Sequence, residues 1–398
     1  MIQAALLRKH RTIMSSIVVR KVENKADYQD FFEYPWTLYK DNPYWVPPLK
    51  STRKHLLDRE HDASWEYMEG DFFVAYKDGT PAGTIAAFIN HRHNETWKEH
   101  IGWFGAFEFI DDPAVSKALL TTAEDYVRGK GYDTIRGPVN FNMNGEVGVL
   151  LDSYDRIPMI LMSYNWAYYP QHYDQAGYVK AKDVVTWAGN KATLGLEGGI
   201  VPERLVRVVE KNNQRREITV RAGNRKTIND DFQIIYDLYN TAWKDNWGFV
   251  PLTKRELDAL IRDLKQFYVP EITFFAFVKG NPAGFVLAVP NMNQPIQKAY
   301  PRPGVPEIVS LLKILWYWKI RPVTTEARTP LMGVKEEYRG IGVDGAILLH
   351  LFGMVHKTKF SFYEGGWVLE DNEDVNVMTR SYQAYIDRRY RIYEKALK

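Results

Sequence analysis

Two stretches of the chain have the alternating apolar pattern of a β-hairpin. Residues 72–83 read FFVAYKDGTPAG and residues 274–284 read FFAFVKGNPAG. In each, a run of strand-favouring side chains meets a glycine turn and a second extended run. Apolar spacing near 3.6 residues predicts helices over 25–39, 113–130, 229–244 and 254–267. We therefore expect an α/β (α+β) chain in which strands and helices intermix.

The hairpin is one of two features that recur about 200 residues apart. The other is Lys-Asp-Asn followed by Val-Pro, at 40–47 and again at 244–251. A spacing this long exceeds that of solenoid repeats and indicates a duplicated domain. We expect a frayed tail at 1–16, a first domain at 17–190 and a second domain at 191–398, with a glycine-rich linker near 189–199.

The second copy contains a glycine-rich turn between a predicted strand and a predicted helix. The extended segment 325–334 precedes it, and a helix is expected over 346–355. The turn reads Arg339-Gly340-Ile341-Gly342-Val343-Asp344. Glycines let backbone approach a ligand closely, and a helix start offers unpaired N–H groups, so this is a candidate phosphate site. A strand-to-helix turn without a ligand would show the same residues.

This turn resembles the acyl-CoA pyrophosphate loop of the GNAT acyltransferase superfamily, which reads Arg or Gln, two residues, Gly, one residue, then Gly or Ala. Arg339 and Gly342 match, whereas Asp344 departs from the pattern. The resemblance implies two tandem GNAT-like domains, each a mixed, mostly antiparallel sheet flanked by helices. It also implies acyl-CoA or acetyl-CoA as co-substrate and direct attack of an amine on the thioester. The implied cofactor-binding positions are Met332, Gly333, Val334, Arg339, Gly340, Ile341, Gly342 and Val343.

Two side chains of the second copy are candidates for proton transfer. Tyr382 lies where the family often places a tyrosine that protonates the leaving thiolate, although a core tyrosine would look the same. Glu370 follows the strand 359–369, from which a carboxylate could take the proton of the amine. Its alternative role is capping the helix expected over 373–385.

The first copy differs at the position of the glycine turn. It reads Phe109-Ile110-Asp111-Asp112-Pro113, and acidic residues and proline are unsuited to a diphosphate, so we expect no CoA there. A polar segment follows at 137–146, reading GPVNFNMNGE, and its alternating amides could face a substrate or simply form turns. Glu146 is a candidate base. The candidate substrate-binding residues are Asn140, Asn142, Asn144, Tyr164 and Asn165.

Composition excludes several functions. The 52 basic residues nearly balance 49 acidic ones, so nucleic acid is not an expected partner. The chain has no cysteine, which removes disulfides and thiolate chemistry and suits a cytoplasmic protein. No metal site is expected, because the pair His91 and His93 lacks an evident third ligand.

The longest apolar run, IVSLLKILWYWKI at 308–320, contains two lysines and is too short to span a bilayer, which takes about 20 residues. As a helix it would align Ile308, Leu311, Leu312 and Leu315 on one stripe. We expect this stripe to pack on the sheet; insertion into a membrane interface is the alternative.

With the loop 45–49 and the many aromatic residues, this segment resembles a group of bacterial tandem proteins that includes lipid amine acylating enzymes such as bacterial ceramide synthases. That resemblance implies a long-chain acyl donor and a lipid-like amine, and acetyl-CoA with a small-molecule amine is the alternative pair. The apolar run with Lys313, Lys319 and Arg321 would suit peripheral contact with the inner membrane face. A non-catalytic binding or regulatory module is the competing interpretation. The sequence leaves the acyl chain, the amine and the oligomeric state open.

Overall fold

The computed structural model describes residues 16–141, 143, 145–193, 203–243, 246–355 and 357–397. Residues 1–15 of the predicted tail, Asn142, Asn144 and part of the predicted linker lie outside these residues. The first copy contains strands β1 (Ile17–Lys21), β2 (Met68–Lys77), β3 (Thr80–Asn90), β4 (Ile101–Phe109), β5 (Thr134–Gly137), β6 (Val149–Leu150) and β7 (Val179–Asn190). Its helices are α1 (Lys25–Leu38), α2 (Lys50–Leu56), α3 (His91–Trp97), α4 (Pro113–Gly129) and α5 (Tyr169–Gln175).

The second copy repeats the order. Its strands are β8 (Ile218–Ala222), β9 (Thr273–Val278), β10 (Asn281–Pro290), β11 (Glu326–Val334), β12 (Phe362–Leu369) and β13 (Tyr385–Ala396). Its helices are α6 (Glu203–Arg216), α7 (Ile228–Ala242), α8 (Lys254–Gln266), α9 (Asn293–Ala299), α10 (Glu307–Leu315), α11 (Val343–Val355) and α12 (Glu373–Ser381). The mixed α/β prediction is confirmed, and the two hairpins β2–β3 and β9–β10 lie where the repeated sequence predicts them.

The two copies share one sheet. Within the described residues it has 13 strands, in the order β1-β2-β3-β4-β5-β13-β7-β12-β11-β10-β9-β8, with β6 beside β13. The closing strands are exchanged: β13 of the second copy pairs with β5, and β7 of the first copy pairs with β12. These two strands also pair with each other, antiparallel, from Tyr385–Ala188 to Glu394–Val179. Backbone hydrogen bonds therefore join the copies across their whole seam.

Two local expectations are corrected. The residues near Tyr178–Trp187 belong to the single strand β7, whose partners come from the second copy. That strand extends to Asn190 and so occupies the start of the expected linker. The helix expected to reach Tyr385 ends at Ser381, since β13 begins at Tyr385. After β5 an isolated bridge joins Val139 and Val147, and β6 follows.

The apolar segment at 308–320 also differs from expectation. Ser310 and Ile314 are the residues that face inward, on the side of α9. The stripe expected to pack on the sheet is exposed, with Ile308 at 60%, Leu312 at 61% and Leu315 at 50%. No helix in the described part of the chain is long and apolar enough to cross a membrane.

Each copy has one place where two parallel strands part. In the first copy β4 and β5 are paired as far as Trp103–Arg136, and in the second copy β11 and β12 are paired as far as Thr329–Gly365. Beyond these pairs the strands diverge. We call the gaps the first-copy opening and the second-copy opening.

Candidate functional site

The second-copy opening leads to the predicted phosphate turn. Eight residues, 335–342, join β11 to α11 and form what we call the glycine turn. Its start is fixed by the Lys335 N–H, which donates to the Ala283 carbonyl at 2.9 Å. Gly340 and Gly342 have φ angles of 72° and 94°, in the region that favours glycine. The first turn of α11 then presents amides without intrahelical partners and the positive end of the helix dipole.

A side chain from outside the turn holds it in place. The Asn212 amide on α6 donates to the Ile341 carbonyl at 2.8 Å. A Cβ added to Gly342 would lie 2.5 Å from the Asn212 amide nitrogen. Any side chain at 342 would therefore displace Asn212 as well as strain the backbone. These contacts fit a turn built for close approach of a ligand to backbone.

Before the turn, one edge of β11 has no partner strand among the described residues, and Arg339 Nε donates to the Val334 carbonyl at 3.3 Å. Met332, Gly333 and Val334 pair on one side with β10. The other side faces the second-copy opening, because pairing with β12 ends at Thr329. An extended chain could hydrogen-bond to β11 there in the manner of an added strand. The residues predicted to hold pantetheine and pyrophosphate thus form one continuous track from Met332 to Val343.

The first-copy opening is filled by its own chain. The Val139 N–H donates to the Phe104 carbonyl at 2.9 Å, and the Ala106 N–H donates to the Asn140 side chain at 2.9 Å. A Cβ added to Gly105 would lie 2.0 Å from the Val139 carbonyl oxygen. The segment after β5 therefore occupies the position that is open in the second copy.

The helix start in the first copy is occupied as well. Only residues 110–112 join β4 to α4. Asp112 caps that helix by accepting from the Ala114 N–H at 2.8 Å, and Lys77 pairs with the same carboxylate at 2.5 Å. The Asp111 carboxylate lies 2.9 Å from His172 Nε2. The Asp112 carboxylate thus already occupies an N–H group of this helix start, and its charge opposes a second anion there.

A buried arginine holds the point where β11 and β12 part. Arg328 donates to the Ile160 carbonyl of the first copy at 2.5 Å and to the Gly366 carbonyl of β12 at 2.7 Å. Its Nε lies 3.6 Å from Glu364, its neighbour across the two strands. Both side chains are almost completely buried. Arg328 thus joins three chain segments at the apex of the second-copy opening.

Glu364 lies at that apex, opposite Arg328 on the paired strand. Burial raises its pKa to about 7, although the neighbouring Arg328 guanidinium opposes the shift. Among the described residues its Oε1 atom has no hydrogen-bond partner. A carboxyl group that titrates near neutral pH can accept a proton under working conditions.

The two side chains predicted for proton transfer lie elsewhere in the second copy. Tyr382 packs edge-on against Phe352 of α11, with ring centroids 5.0 Å apart. Burial, and then the nearby Asp344 charge in the first turn of α11, raise the pKa of its phenol. Glu370 accepts from Lys180 at 2.7 Å and from the Asp183 N–H at 3.2 Å, both on β7. Its neighbour Asn372, and not Glu370, caps α12.

The predicted first-copy residues form a separate group. Asn140 donates to Glu146 at 3.0 Å. The first-copy opening, between β4 and β5, lies four strand spacings, about 19 Å, from the second-copy opening, between β12 and β11. Asn165 is buried, and its side-chain oxygen accepts a hydrogen bond from the Leu150 N–H at 2.7 Å. Tyr164 donates to the Tyr154 carbonyl at 2.9 Å. The structure therefore does not bring these residues to the glycine turn.

Beside that group lies a carboxylate that the sequence did not single out. Glu108 on β4 accepts from the Tyr39 and Tyr169 hydroxyls, each at 2.7 Å. Burial raises its pKa to about 7, while the two hydroxyls and Arg53 oppose the shift. In the sequence, the feature that could have identified Glu108 is its place as the one acidic residue within the apolar run FGAFEFI. The same signal, in FSFYEGGW, marked Glu364.

The described residues contain no cluster of three or more acidic or histidine side chains arranged for a metal ion. His93, one of the histidines considered for such a site, is buried on α3 and lies 2.7 Å from Glu99.

The fold defines the class of protein. A tandem GNAT protein from the clavulanic acid biosynthesis pathway superposes with a TM-score of 0.51 at 10% identity, covering 97% of this chain and 99% of that one. The GCN5-related glucosamine N-acetyltransferase region of a fungal multi-domain β-N-acetylglucosaminidase gives 0.52 at 12% identity, over 96% of this chain and 38% of that one. The chain thus has the tandem GNAT fold that the sequence predicted.

Two curated proteins identify the family. Protein YghO of Escherichia coli K12 is 32% identical over 384 residues, 96% of this chain and 95% of that protein. The bacterial ceramide synthase of Caulobacter vibrioides is 30% identical over 388 residues, 96% of this chain and 98% of that protein. The chain belongs to the family that contains these two proteins. No protein-family model matches it.

Proposed function

We propose that this protein is an acyl-CoA-dependent N-acyltransferase whose donor site is the track from Met332 to Val343. The observation that carries the proposal is the asymmetry between the copies. The second copy has an open β11 edge leading to a glycine turn and a helix start, whereas the first copy closes the same edge and caps the same helix with Asp112. Tandem GNAT neighbours and a relative named as a synthase support this class of activity.

In the proposed reaction the amine nitrogen attacks the thioester carbonyl carbon. The new C–N bond forms as the C–S bond breaks, the amine loses a proton, and the thiolate gains one. Backbone groups on the edge of β11 that faces the second-copy opening would orient the thioester and stabilise the oxygen that becomes negative. Tyr382, whose raised pKa keeps its phenol protonated, is our candidate proton donor to the thiolate.

Two carboxylates are candidates for the proton acceptor. Glu370 would have to leave its bonds to Lys180 and the Asp183 N–H before it could act. Glu364 lies at the apex and has a pKa near neutrality. We therefore favour Glu364, acting through water. The pH dependence of kcat distinguishes the two carboxylates. Replacing the one that accepts the proton should abolish the fall of kcat at acidic pH, whereas replacing the other should not.

The proposed substrates are a long-chain acyl-CoA and a lipid-like amine. Support comes from the relative named bacterial ceramide synthase, since a ceramide is an amide of a long-chain acid with a lipid amine. Support also comes from the exposed apolar residues of α10, which suit a protein that takes substrates from a membrane surface. A small-molecule amine and acetyl-CoA form the alternative pair.

The test is calorimetric binding of CoA, acetyl-CoA and palmitoyl-CoA to the full chain. Each buried methylene contributes about 0.8 kcal/mol, so palmitoyl-CoA should bind far more tightly than acetyl-CoA. Equal affinities, or turnover that prefers acetyl-CoA, would contradict the lipid substrates and leave a small-molecule acetyltransferase. If none of the three binds, the chain is a non-catalytic module of the same fold.

A further inference from the structure

Helix α10 and the π-helical turn Trp316–Ile320 that continues it present an apolar face to the outside of the molecule. Seven large apolar side chains are exposed by 39–65%. They are Ile308, Val309, Leu311, Leu312, Leu315, Trp316 and Ile320. We call them the apolar face. Soluble proteins rarely expose a contiguous patch of this kind without a partner.

The helix that carries the apolar face is anchored on its inner side. Ile314 packs in a small core with Met292 and Ala299, and Ser310 is also buried. The helix start is tied to the first copy, since Glu307 accepts from the Ser51 N–H at 2.9 Å and from its hydroxyl at 2.5 Å. The face is therefore a preformed surface, whose outward side chains make no contribution to this anchoring core.

The charges beside the apolar face are basic on balance. Lys313, Lys319 and Arg321 are exposed, and Lys319 is close enough to Lys359 to help lower the pKa of that amine. Against these three cations the segment 307–321 holds one acidic residue, Glu307, which accepts hydrogen bonds from Ser51. Two copies packed through this face would bring like charges together. Residues 1–15 also carry Arg8, Lys9 and Arg11, so charge disfavours them as the occupant.

We infer that the apolar face docks on a phospholipid bilayer with anionic headgroups. Apolar residues with tryptophan and flanking lysines are the composition of interfacial helices. Each basic residue near an anionic surface adds attraction that falls with salt. The inference rests on the proposed function, because it names the surface from which the lipid substrates would come.

The position of the apolar face agrees with this role. The segment leads directly into β11, whose first residue is Glu326, while the glycine turn follows its last residue, Val334. At about 3.3 Å per residue the two ends of β11 are about 26 Å apart, and the strands part about 10 Å from the membrane end. A nucleotide at the glycine turn would thus remain in water while an acyl chain or lipid amine reached the opening from the bilayer.

The test is sedimentation of the full chain with vesicles of phosphatidylcholine alone or mixed with phosphatidylglycerol. The wild type should bind the anionic vesicles and lose binding as salt rises. Leu312→Ser with Ile320→Ser should weaken binding at least about tenfold. Val208→Ser with Val377→Ser is the matched control, because these residues are 61% and 57% exposed on α6 and α12, and it should bind as the wild type does. Lys313→Gln with Lys319→Gln should remove the preference for phosphatidylglycerol.

Three outcomes would overturn the inference. They are failure of the wild type to bind anionic vesicles, equal binding by the Leu312→Ser, Ile320→Ser variant, or a dimer in solution that this variant dissociates. The last outcome would mean that a second copy covers the face. CoA affinity of the same variants in solution, which should equal that of the wild type, separates this result from failure of the proposed donor site.

Discussion

The side chain of Asn212 donates a hydrogen bond of 2.8 Å to the backbone carbonyl of Ile341. Helix α6, which lies at the start of the second copy, thereby holds the glycine turn, whose Ile341 lies 129 residues further along the chain. The bond orients the Ile341–Gly342 peptide toward α6. We infer that Asn212 is a positioning residue for the donor site.

Removing that bond should loosen the glycine turn. We expect Asn212→Ala to weaken CoA binding about 3- to 10-fold, since one hydrogen bond contributes about 0.5–1.5 kcal/mol. Calorimetric titration of CoA measures it. Gln214→Ala, on an exposed position of the same helix, is the control and should leave the affinity unchanged. A normal affinity in Asn212→Ala would show that the turn holds its shape alone.

Gly342→Val should abolish CoA binding, because the new side chain enters the space of Asn212 and the φ of 94° disfavours branched residues. Gly280→Val is the matched control: Gly280 has a φ of 80° in the β9–β10 turn with no atoms within 4 Å of an added Cβ. It carries similar backbone strain away from the site and should keep CoA affinity. Equal CoA affinity in both folded variants would refute the site.

The first-copy opening is closed, so calorimetry should give one CoA site per chain. In Gly342→Val the number of CoA molecules bound per chain should fall to zero. A crystal structure with CoA seated between β4 and β5 would contradict this prediction, because the Val139 and Asn140 bonds to β4 would then have to break.

Glu108→Gln should alter the dependence of stability on pH. Burial raises the pKa of Glu108 to about 7 in the folded state, whereas an unfolded chain has a value near 4.3. The folded protein binds this proton more tightly, so its free energy of unfolding falls as pH rises from about 4.5 to about 7. Glutamine can still accept from both tyrosines without a charge.

Melting temperatures measured from about pH 5 to about pH 8 test this prediction, because that range spans the titration of Glu108. The melting temperature of Glu108→Gln should increase relative to that of the wild type as pH rises. Glu95→Gln, at an exposed position, should show the same pH dependence as the wild type. A variant that loses stability relative to the wild type at high pH would show that the charged form of Glu108 is the favoured one.

Arg328→Ala should lower the free energy of unfolding by about 3–5 kcal/mol, because it leaves Glu364 buried without its partner. Urea unfolding measures the loss. The double variant Arg328→Met, Glu364→Leu removes both charges and should lose less than the single variant. If the double variant is the less stable one, the hydrogen bonds of Arg328 to Ile160 and Gly366 outweigh the pairing of charge.

Much of this architecture follows from local sequence. The hairpins at 72–83 and 274–284, the helices and the glycine turn depend on side-chain alternation, helical spacing and glycine conformation, all of which act over a few residues. The duplication was visible because both copies keep the same hairpin. The track from Met332 to Val343 could be predicted as a unit because its residues lie close together in the sequence.

Contacts between distant residues were decided only by the tertiary structure. The exchange of β7 and β13 could not be predicted, since either strand offers the same backbone hydrogen bonds to either copy. The roles of Asn212 and Arg328 depend on partners 129 and 168 residues away. The outward direction of the stripe at Ile308 and Leu312 was likewise open, because an apolar stripe specifies burial but not the partner that buries it. Sequence thus determined the elements and the glycine turn, and the folded chain decided which side chains meet there, since pairing energy depends on three-dimensional proximity.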